Sequence, residues 1–273
     1  MNKPSRRLAA LPLLIAVTIL ASACQGRDVP YVPTPDQVVR KMLEMGKAGP
    51  GDIVYDLGSG DGRIVIAAVR DFNVARAVGI DIDSELIYAS QRSAEAAGVG
   101  DRATFIQQNI FETDFSEATV LTMYLLTRIN LELRPRILSQ LKPGTRVVSH
   151  QFSMGDWEPD ETASVGLRRI LLWIVPAKAE GRWRGTLDGR DVQLQLVQTY
   201  QKVGGRMSLD EVSEPVRLDG ATLVGDRLRF AALVPQGGRT VPVQLDGRIQ
   251  GDRLAGTLTI DGRTSRLQAM REN

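Results

Sequence analysis

The 273-residue sequence is poor in cysteine, histidine and aromatic residues. It has one cysteine, Cys24, and one histidine, His150, and 5% of its residues are aromatic. A single cysteine excludes a disulfide within the chain. A single histidine excludes the histidine clusters that hold many metal ions, so we expect no metal site.

An excess of charge is also missing. Lysine and arginine number 34, against 32 aspartates and glutamates, and no long block of one sign occurs. Because nucleic-acid-binding domains carry a basic face, we expect no nucleic-acid partner. The 43% hydrophobic and 24% charged residues are typical of globular proteins, and the length is sufficient for two domains.

Long hydrophobic runs are absent except near the N-terminus, where residues 8–23 are uncharged. This run of 16 residues is short for a transmembrane helix, which needs about 20. It follows three basic residues, Lys3, Arg6 and Arg7. The pattern predicts that residues 1–24 are a secretory signal.

The end of this segment, Ala-Ser-Ala-Cys24, resembles a bacterial lipobox, in which the cysteine is lipidated. Ala21 replaces the leucine that usually lies three residues before the cysteine. The resemblance implies a lipid-anchored protein of the cell envelope that faces the periplasm or the exterior. An uncleaved membrane anchor and an ordinary cleaved signal remain alternatives.

Residues 25–176 alternate between strand and helix patterns. Thr34 and Gln37 have capping-box spacing and Pro35 suits a first helical position, so we predict a helix that begins after Thr34 and ends near Met45. Apolar runs that predict strands occupy residues 53–57, 75–82, 103–107, 119–125, 145–152 and 167–175. Helical patterns separate most of them, so the sequence predicts an α/β, Rossmann-like, doubly wound and mainly parallel sheet.

Residues 177–273 have a different pattern, with short alternating segments and turns such as Asp188-Gly189 and Asp261-Gly262. We predict a second, all-β domain here, an antiparallel sheet or a small lipocalin-like barrel. Trp183, in a Gly-x-Trp opening that lipocalin-like barrels carry, is predicted to close a barrel end.

The stretch VYDLGSGDGR is the main functional signal. A strand ends in Gly58, Gly60 and Gly62 and opens a helix, so it offers backbone N–H groups to a ligand. The spacing is neither the G-x-G-x-x-G of dinucleotide sites nor a Walker loop. Asp56 would repel a pyrophosphate but suits a ligand that carries an amino group.

Two later strand ends carry further polar residues. Asp81 ends the second strand, where a carboxylate can accept hydrogen bonds from both hydroxyls of a ribose. Asn109 follows the third strand and can pair with an adenine edge. The predicted cofactor-binding residues are Tyr31, Thr34, Asp56, Gly58, Ser59, Gly60, Asp81, Ile82, Asn109 and Ile110.

These motifs, VYDLGSGDGR, VGIDID and QQNIF, resemble those of the class I S-adenosylmethionine-dependent methyltransferases. Further stretches, YVPTP, ATVLTMYLL and KPGTRVVSHQFSMGDW, resemble a subgroup of small, often membrane-associated protein-lysine methyltransferases. The resemblance covers about residues 30–160. It implies S-adenosylmethionine as the cofactor and a protein lysine or another amine as the methyl acceptor.

Tyr124, near the end of the fourth strand, is the candidate residue for the acceptor channel, although a core tyrosine is the alternative. The predicted export signal conflicts with the cytoplasmic supply of S-adenosylmethionine. The alternative hypothesis is therefore a non-catalytic envelope lipoprotein whose β-rich domain binds a ligand or an envelope component.

Overall fold

A computed structural model describes residues 32–209, 214–236 and 238–272. The predicted signal segment, Cys24 and Tyr31 lie outside the described residues. Within the described part of the chain, none of the helices is long and apolar enough to cross a membrane.

The first sheet has seven strands and confirms the predicted α/β fold. Its strands are β1 (Ile53–Leu57), β2 (Arg76–Asp81), β3 (Ala103–Gln107), β4 (Val120–Met123), β5 (Arg146–His150), β6 (Glu161–Val165) and β7 (Arg168–Ile174). The spatial order is β3-β2-β1-β4-β5-β7-β6. Strands β1 to β5 are parallel, whereas β7 is antiparallel to both β5 and β6.

Helices cover both faces of this sheet. They are α1 (Asp36–Met45), α2 (Arg63–Phe72), α3 (Ser84–Ala96) and α4 (Thr127–Gln140). Successive side chains of β1 point to opposite faces, so Val54 belongs to the core cluster that includes residues of α1, α2 and α3, while Tyr55 belongs to the cluster that includes residues of α4. The carboxyl ends of the parallel strands therefore meet at one edge, framed by helix starts.

The start of α1 differs from the prediction. The helix begins at Asp36 after Pro35, and no side chain caps it. The predicted capping role of Thr34 is therefore wrong, because its hydroxyl lies instead 3.2 Å from Nδ1 of His150.

The second sheet is antiparallel and nearly closed, which confirms a barrel-like C-terminal fold. Its strands are β8 (Gly181–Leu187), β9 (Arg190–Thr199), β10 (Lys202–Leu209), β11 (Val216–Arg217), β12 (Asp219–Val224), β13 (Arg227–Gln236), β14 (Arg239–Gln250), β15 (Arg253–Ile260) and β16 (Arg263–Glu272). Their order is β11-β10-β9-β8-β16-β15-β14-β13-β12. The N–H of Leu218 donates a hydrogen bond to Gly205 O at 3.0 Å, which links the connection between the edge strands β11 and β12 to β10.

Alternate side chains of the second sheet fill its interior. Val192, Leu194 and Leu196 of β9 are buried, whereas the residues between them are exposed. Trp183 is buried, donates from Nε1 to Ala179 O at 2.8 Å, and lies under the guanidinium of Arg271, 4.5 Å from its ring centroid. The tryptophan is thus part of the buried core of the second sheet, and its role in closing a barrel end stays a prediction.

The barrel packs away from the carboxyl edge of the parallel strands. Gly225, in the β12–β13 turn, accepts a hydrogen bond from the N–H of Ala177 at 2.8 Å and lies against Gly144, which precedes β5. Tyr200 stacks on Trp157, with ring centroids 5.8 Å apart. The second sheet therefore leaves the opposite edge of the first sheet open.

Candidate functional site

A cavity opens at the carboxyl ends of β1 to β4. Its lining combines apolar side chains with a few polar groups, as is usual for small-molecule sites. The predicted cofactor residues that line it are Thr34, Asp56, Gly58, Ser59, Gly60, Asp81, Ile82, Asn109 and Ile110. Tyr124 lines it too, so the structure brings together every predicted site residue that it describes.

The glycine loop connects β1 to α2 in a left-handed backbone conformation. Gly58, Gly60 and Gly62 have φ angles of +73°, +54° and +78°, a region that other residues rarely adopt. A Cβ on Gly62 would lie 2.6 Å from the ring of Phe105. Glycine at position 62 is thus required by protein packing. The N–H groups of Gly58, Gly60 and Gly62 already donate to Ile80 O, Asp81 Oδ2 and Ser59 O, so the prediction that these glycines offer their N–H groups to a ligand is wrong.

Asp81 is held at the end of β2 by the glycine loop itself. Its Oδ2 accepts a hydrogen bond from the N–H of Gly60 at 2.9 Å, and its Oδ1 accepts from the N–H of Asp83 at 3.0 Å. These bonds fix the carboxylate at the cavity wall, where its remaining lone pairs can accept from two hydroxyl groups.

Asp56 is buried below the loop. The hydroxyl of Thr122 donates to its Oδ1 at 2.7 Å. The pKa of Asp56 is raised to about 8, chiefly by burial and also by the charges of Asp81 and Asp61, whereas the Thr122 hydrogen bond acts to lower it. The ligand-free protein therefore holds a proton on this carboxyl at pH 7, and a cationic group nearby would release it.

Asn109 turns the chain after β3. Its Oδ1 accepts from the N–H of Phe111 at 3.0 Å, and its Nδ2 donates to Glu112 at 3.4 Å. The side chain lines the cavity and retains one N–H and one lone pair for a ligand.

One buried hydroxyl beside the cavity is unsatisfied. Ser59 Oγ is buried and has no hydrogen-bond partner among the described residues, although such groups are normally paired. A ligand with hydroxyls and an amino group can engage Asp81 and Asp56, which both line the cavity. The residues present therefore fit S-adenosylmethionine.

Tyr124 lies in an aromatic group at the cavity wall. Its ring centroid is 3.9 Å from that of His150 and 5.9 Å from that of Phe152. Burial and the charge of Arg168 lower the pKa of His150 to about 4, so the imidazole is neutral at pH 7. The side chains packed behind Tyr124 are therefore aromatic and uncharged.

Sequence reasoning missed about half of the lining. The additional residues are Val32, Pro33, Asp61, Arg63, Ile64, Leu86, Gln108, Phe111, Leu125 and Ile129. Asp61 and Arg63 stand in the glycine loop and form a charged pair that could have been noticed, with Arg63 Nε 2.9 Å from Asp61 Oδ1. The apolar residues carry no chemical signature in the sequence.

Comparisons with known proteins agree with this geometry. The family described as ANTKMT methyltransferase domain matches residues 56–161. A protein-lysine N-methyltransferase of Saccharolobus islandicus (strain REY15A) is 55% identical over 137 residues, 50% of this chain and 85% of the relative. The adenine nucleotide translocase lysine N-methyltransferase of Mus musculus is 28% identical over 148 residues, 54% of this chain and 64% of the relative.

A solved structure gives the same result for the fold. The crystal structure of an RNA methyltransferase from Salinibacter ruber, in complex with S-adenosyl-L-homocysteine, is 49% identical. It has a TM-score of 0.53 and covers 54% of this chain and 95% of its own. Together with the cavity and the curated relatives, this shows that the chain belongs to the S-adenosylmethionine-dependent class I methyltransferases, in the family that includes the Saccharolobus islandicus protein-lysine N-methyltransferase.

Proposed function

We propose that this methyltransferase modifies the ε-amino group of lysine in a protein substrate. The observation that carries the proposal is the 55% identity to a relative named for that activity. The glycine loop, Asp56 and Asp81 converge on one cavity in the part of the chain that the family match covers.

The cofactor supplies a methyl group on a positively charged sulfur, and the protein supplies alignment. We assign Asp56 to the amino group of the methionine part, Asp81 to the ribose hydroxyls and Asn109 to adenine. Holding two reactants in line can lower the barrier by about 7–11 kcal/mol. We expect the glycine loop and the buried carboxyl to provide that alignment.

A lysine acceptor must first lose its proton, because its pKa near 10.4 keeps the amine charged in water. Tyr124 lines the cavity and is backed by the rings of His150 and Phe152, and this apolar environment disfavours the charged form. The neutral imidazole of His150 adds no charge to it. We therefore expect desolvation, more than a strong base, to prepare the acceptor.

Removal of the Asp81 carboxylate tests the cofactor assignment. Asp81→Ala removes hydrogen bonds to a charged group, so it should weaken the binding of S-adenosyl-L-homocysteine about 10- to 100-fold. Calorimetry measures this affinity. Asp83→Ala is the matched control, since Asp83 caps α3 through the N–H of Glu85 at 2.9 Å. The control should lose stability and keep its affinity. Unchanged affinity in Asp81→Ala would contradict the assignment.

RNA is the second candidate acceptor, because the 49% identical structure is that of an RNA methyltransferase. The nearly balanced charge of the chain argues against it. Incubation of the protein with labelled S-adenosylmethionine and cell extract distinguishes the two. We expect label that survives ribonuclease, is lost on proteolysis, and maps to lysine by mass spectrometry. Label sensitive only to ribonuclease would favour RNA.

We also propose that Cys24 is lipidated and holds the enzyme at the cell envelope. The basic start, the apolar run and the small residues before Cys24 support this. Mass spectrometry of the purified protein should find Cys24 as an acylated N-terminus, and Cys24→Ser should leave the membrane fraction. A mature protein that retains residues 1–24 would contradict the proposal.

A further inference from the structure

His150 is the last residue of β5 and is fully buried beside the cofactor cavity. Its ring lies against that of Tyr124, with 30° between the two planes, and Tyr124 stacks in turn on Phe152. Both ring contacts restrict rotation of the side chains. The imidazole is therefore held in one plane, and its two nitrogens point in fixed directions.

One of these nitrogens contacts the segment that precedes α1. His150 Nδ1 lies 3.2 Å from the hydroxyl of Thr34, although the residues are 116 positions apart. Thr34 is buried and lines the cavity. Its carbonyl oxygen also accepts a hydrogen bond from Arg63 Nη1 at 2.8 Å. Thr34 is thus held from the end of β5 and from the start of α2.

The other nitrogen is unsatisfied. His150 Nε2 is buried and has no hydrogen-bond partner among the described residues. Burial of a polar atom without a partner is unfavourable. The contact with Thr34 is the favourable polar interaction that this side chain makes, and a phenyl ring of similar size would lack it.

We propose that His150 is a positioning residue that, through the hydroxyl of Thr34, fixes residues 32–34 as one wall of the cofactor cavity. Val32, Pro33 and Thr34 all line that cavity. A wall that is already ordered lowers the entropy that binding must remove. The inference rests on the proposed function only in taking S-adenosylmethionine as the ligand.

Three substitutions separate the hydrogen bond from the ring packing. His150→Phe keeps a ring against Tyr124 and removes the partner of Thr34. Thr34→Val removes the same bond from the other side. His150→Asn places an amide near the position of Nδ1 and so retains a polar partner.

Two measurements report how well residues 32–34 are ordered. They are the calorimetric affinity for S-adenosyl-L-homocysteine and the hydrogen exchange of residues 32–45 without ligand. His150→Phe and Thr34→Val should each weaken binding about 3- to 10-fold and accelerate exchange. The double variant should bind S-adenosyl-L-homocysteine no more weakly than either single variant, because both substitutions remove the same hydrogen bond. His150→Asn should bind within about twofold of the wild type.

Thr145→Val is the matched control. The Thr145 hydroxyl is buried and donates to Ala118 O at 3.2 Å. Thr145 immediately precedes β5, at the end of the strand opposite to His150. It should lower stability and leave affinity unchanged. The proposal would be overturned if His150→Phe had wild-type exchange and affinity. It would also be overturned if the losses of affinity added in the double variant, or if His150→Asn did not restore binding. A wild-type protein that binds no S-adenosyl-L-homocysteine would refute the proposed function, while the exchange measurement would still decide the role of His150.

Discussion

At the residue scale, the proton on Asp56 links cofactor binding to pH. The pKa of Asp56 is raised from 3.8 to about 8 in the folded protein. Between these values the folded protein holds a proton that the unfolded chain has released, so the free energy of unfolding falls as pH rises. A bound cation has the opposite preference, because it stabilises the carboxylate.

We therefore predict that S-adenosylmethionine binds more tightly as pH rises from 6 to 8, by up to about tenfold per pH unit. Binding near pH 7 should release close to one proton. Calorimetry in buffers of different ionisation enthalpy measures both quantities. Asp56→Asn should abolish the proton release, and equal release by this variant would show that another group titrates.

The polar residues of the site could be predicted from sequence because their partners are near in the chain or at neighbouring strand ends. Asp56, Gly58 and Asp81 follow directly from a strand-and-loop pattern. The contact between Thr34 and His150 could not be predicted, because it joins residues 116 positions apart. Local capping chemistry pointed to a different role for Thr34, and the tertiary contact overrides it.

At the element scale, the junction between β1 and α2 depends on Gly62. It has a φ angle of +78°, and an added Cβ would also lie 2.9 Å from the Cβ of Ser90. Gly98, after α3, has a similar φ of +68° but nothing within 4 Å of an added Cβ. Comparison of substitutions at Gly62 and Gly98 therefore distinguishes the cost of backbone strain from the cost of steric overlap.

We predict that Gly62→Ala lowers the free energy of unfolding by about 2–5 kcal/mol, since strain and overpacking add. Gly98→Ala should lose only about 1–2 kcal/mol, from strain alone. Urea denaturation of both variants measures the difference. Equal losses would mean that Phe105 and Ser90 move aside at little cost.

Most elements of the first sheet were predicted because their strands are continuously apolar and buried. The edge strand β6 (Glu161–Val165) was not, since its residues are largely exposed and have no clear alternation. The strand forms because β7 offers it a free edge. Its existence is thus a property of the sheet, which a local pattern does not contain.

At the scale of the whole molecule, the two sheets meet on the side opposite the cavity. Tyr200 carries much of the junction: its ring stacks on Trp157, the Arg134 guanidinium lies 5.3 Å from its centroid, and its hydroxyl donates to Asp156 at 3.1 Å. The repeated turns predicted the hairpins of the barrel. They could not predict how it packs, because residues from distant parts of the chain form the junction.

We predict that Tyr200→Ala loosens the barrel from the methyltransferase sheet without changing the active site. Loss of the aromatic and cation–π contacts should cost about 1–3 kcal/mol, and denaturation should separate into two transitions. Affinity for S-adenosyl-L-homocysteine should stay within about twofold of the wild type, because Tyr200 does not line the cavity.

Tyr88→Ala is the control for this prediction. Tyr88 is 63% exposed, and the Arg92 guanidinium lies 5.9 Å from its ring centroid. It should change stability by less than about 1 kcal/mol and leave a single transition. If Tyr200→Ala instead weakens cofactor binding, the barrel supports the active site through α4, and the two sheets act as one unit. If the transition stays single with an unchanged midpoint, Tyr200 does not hold the junction.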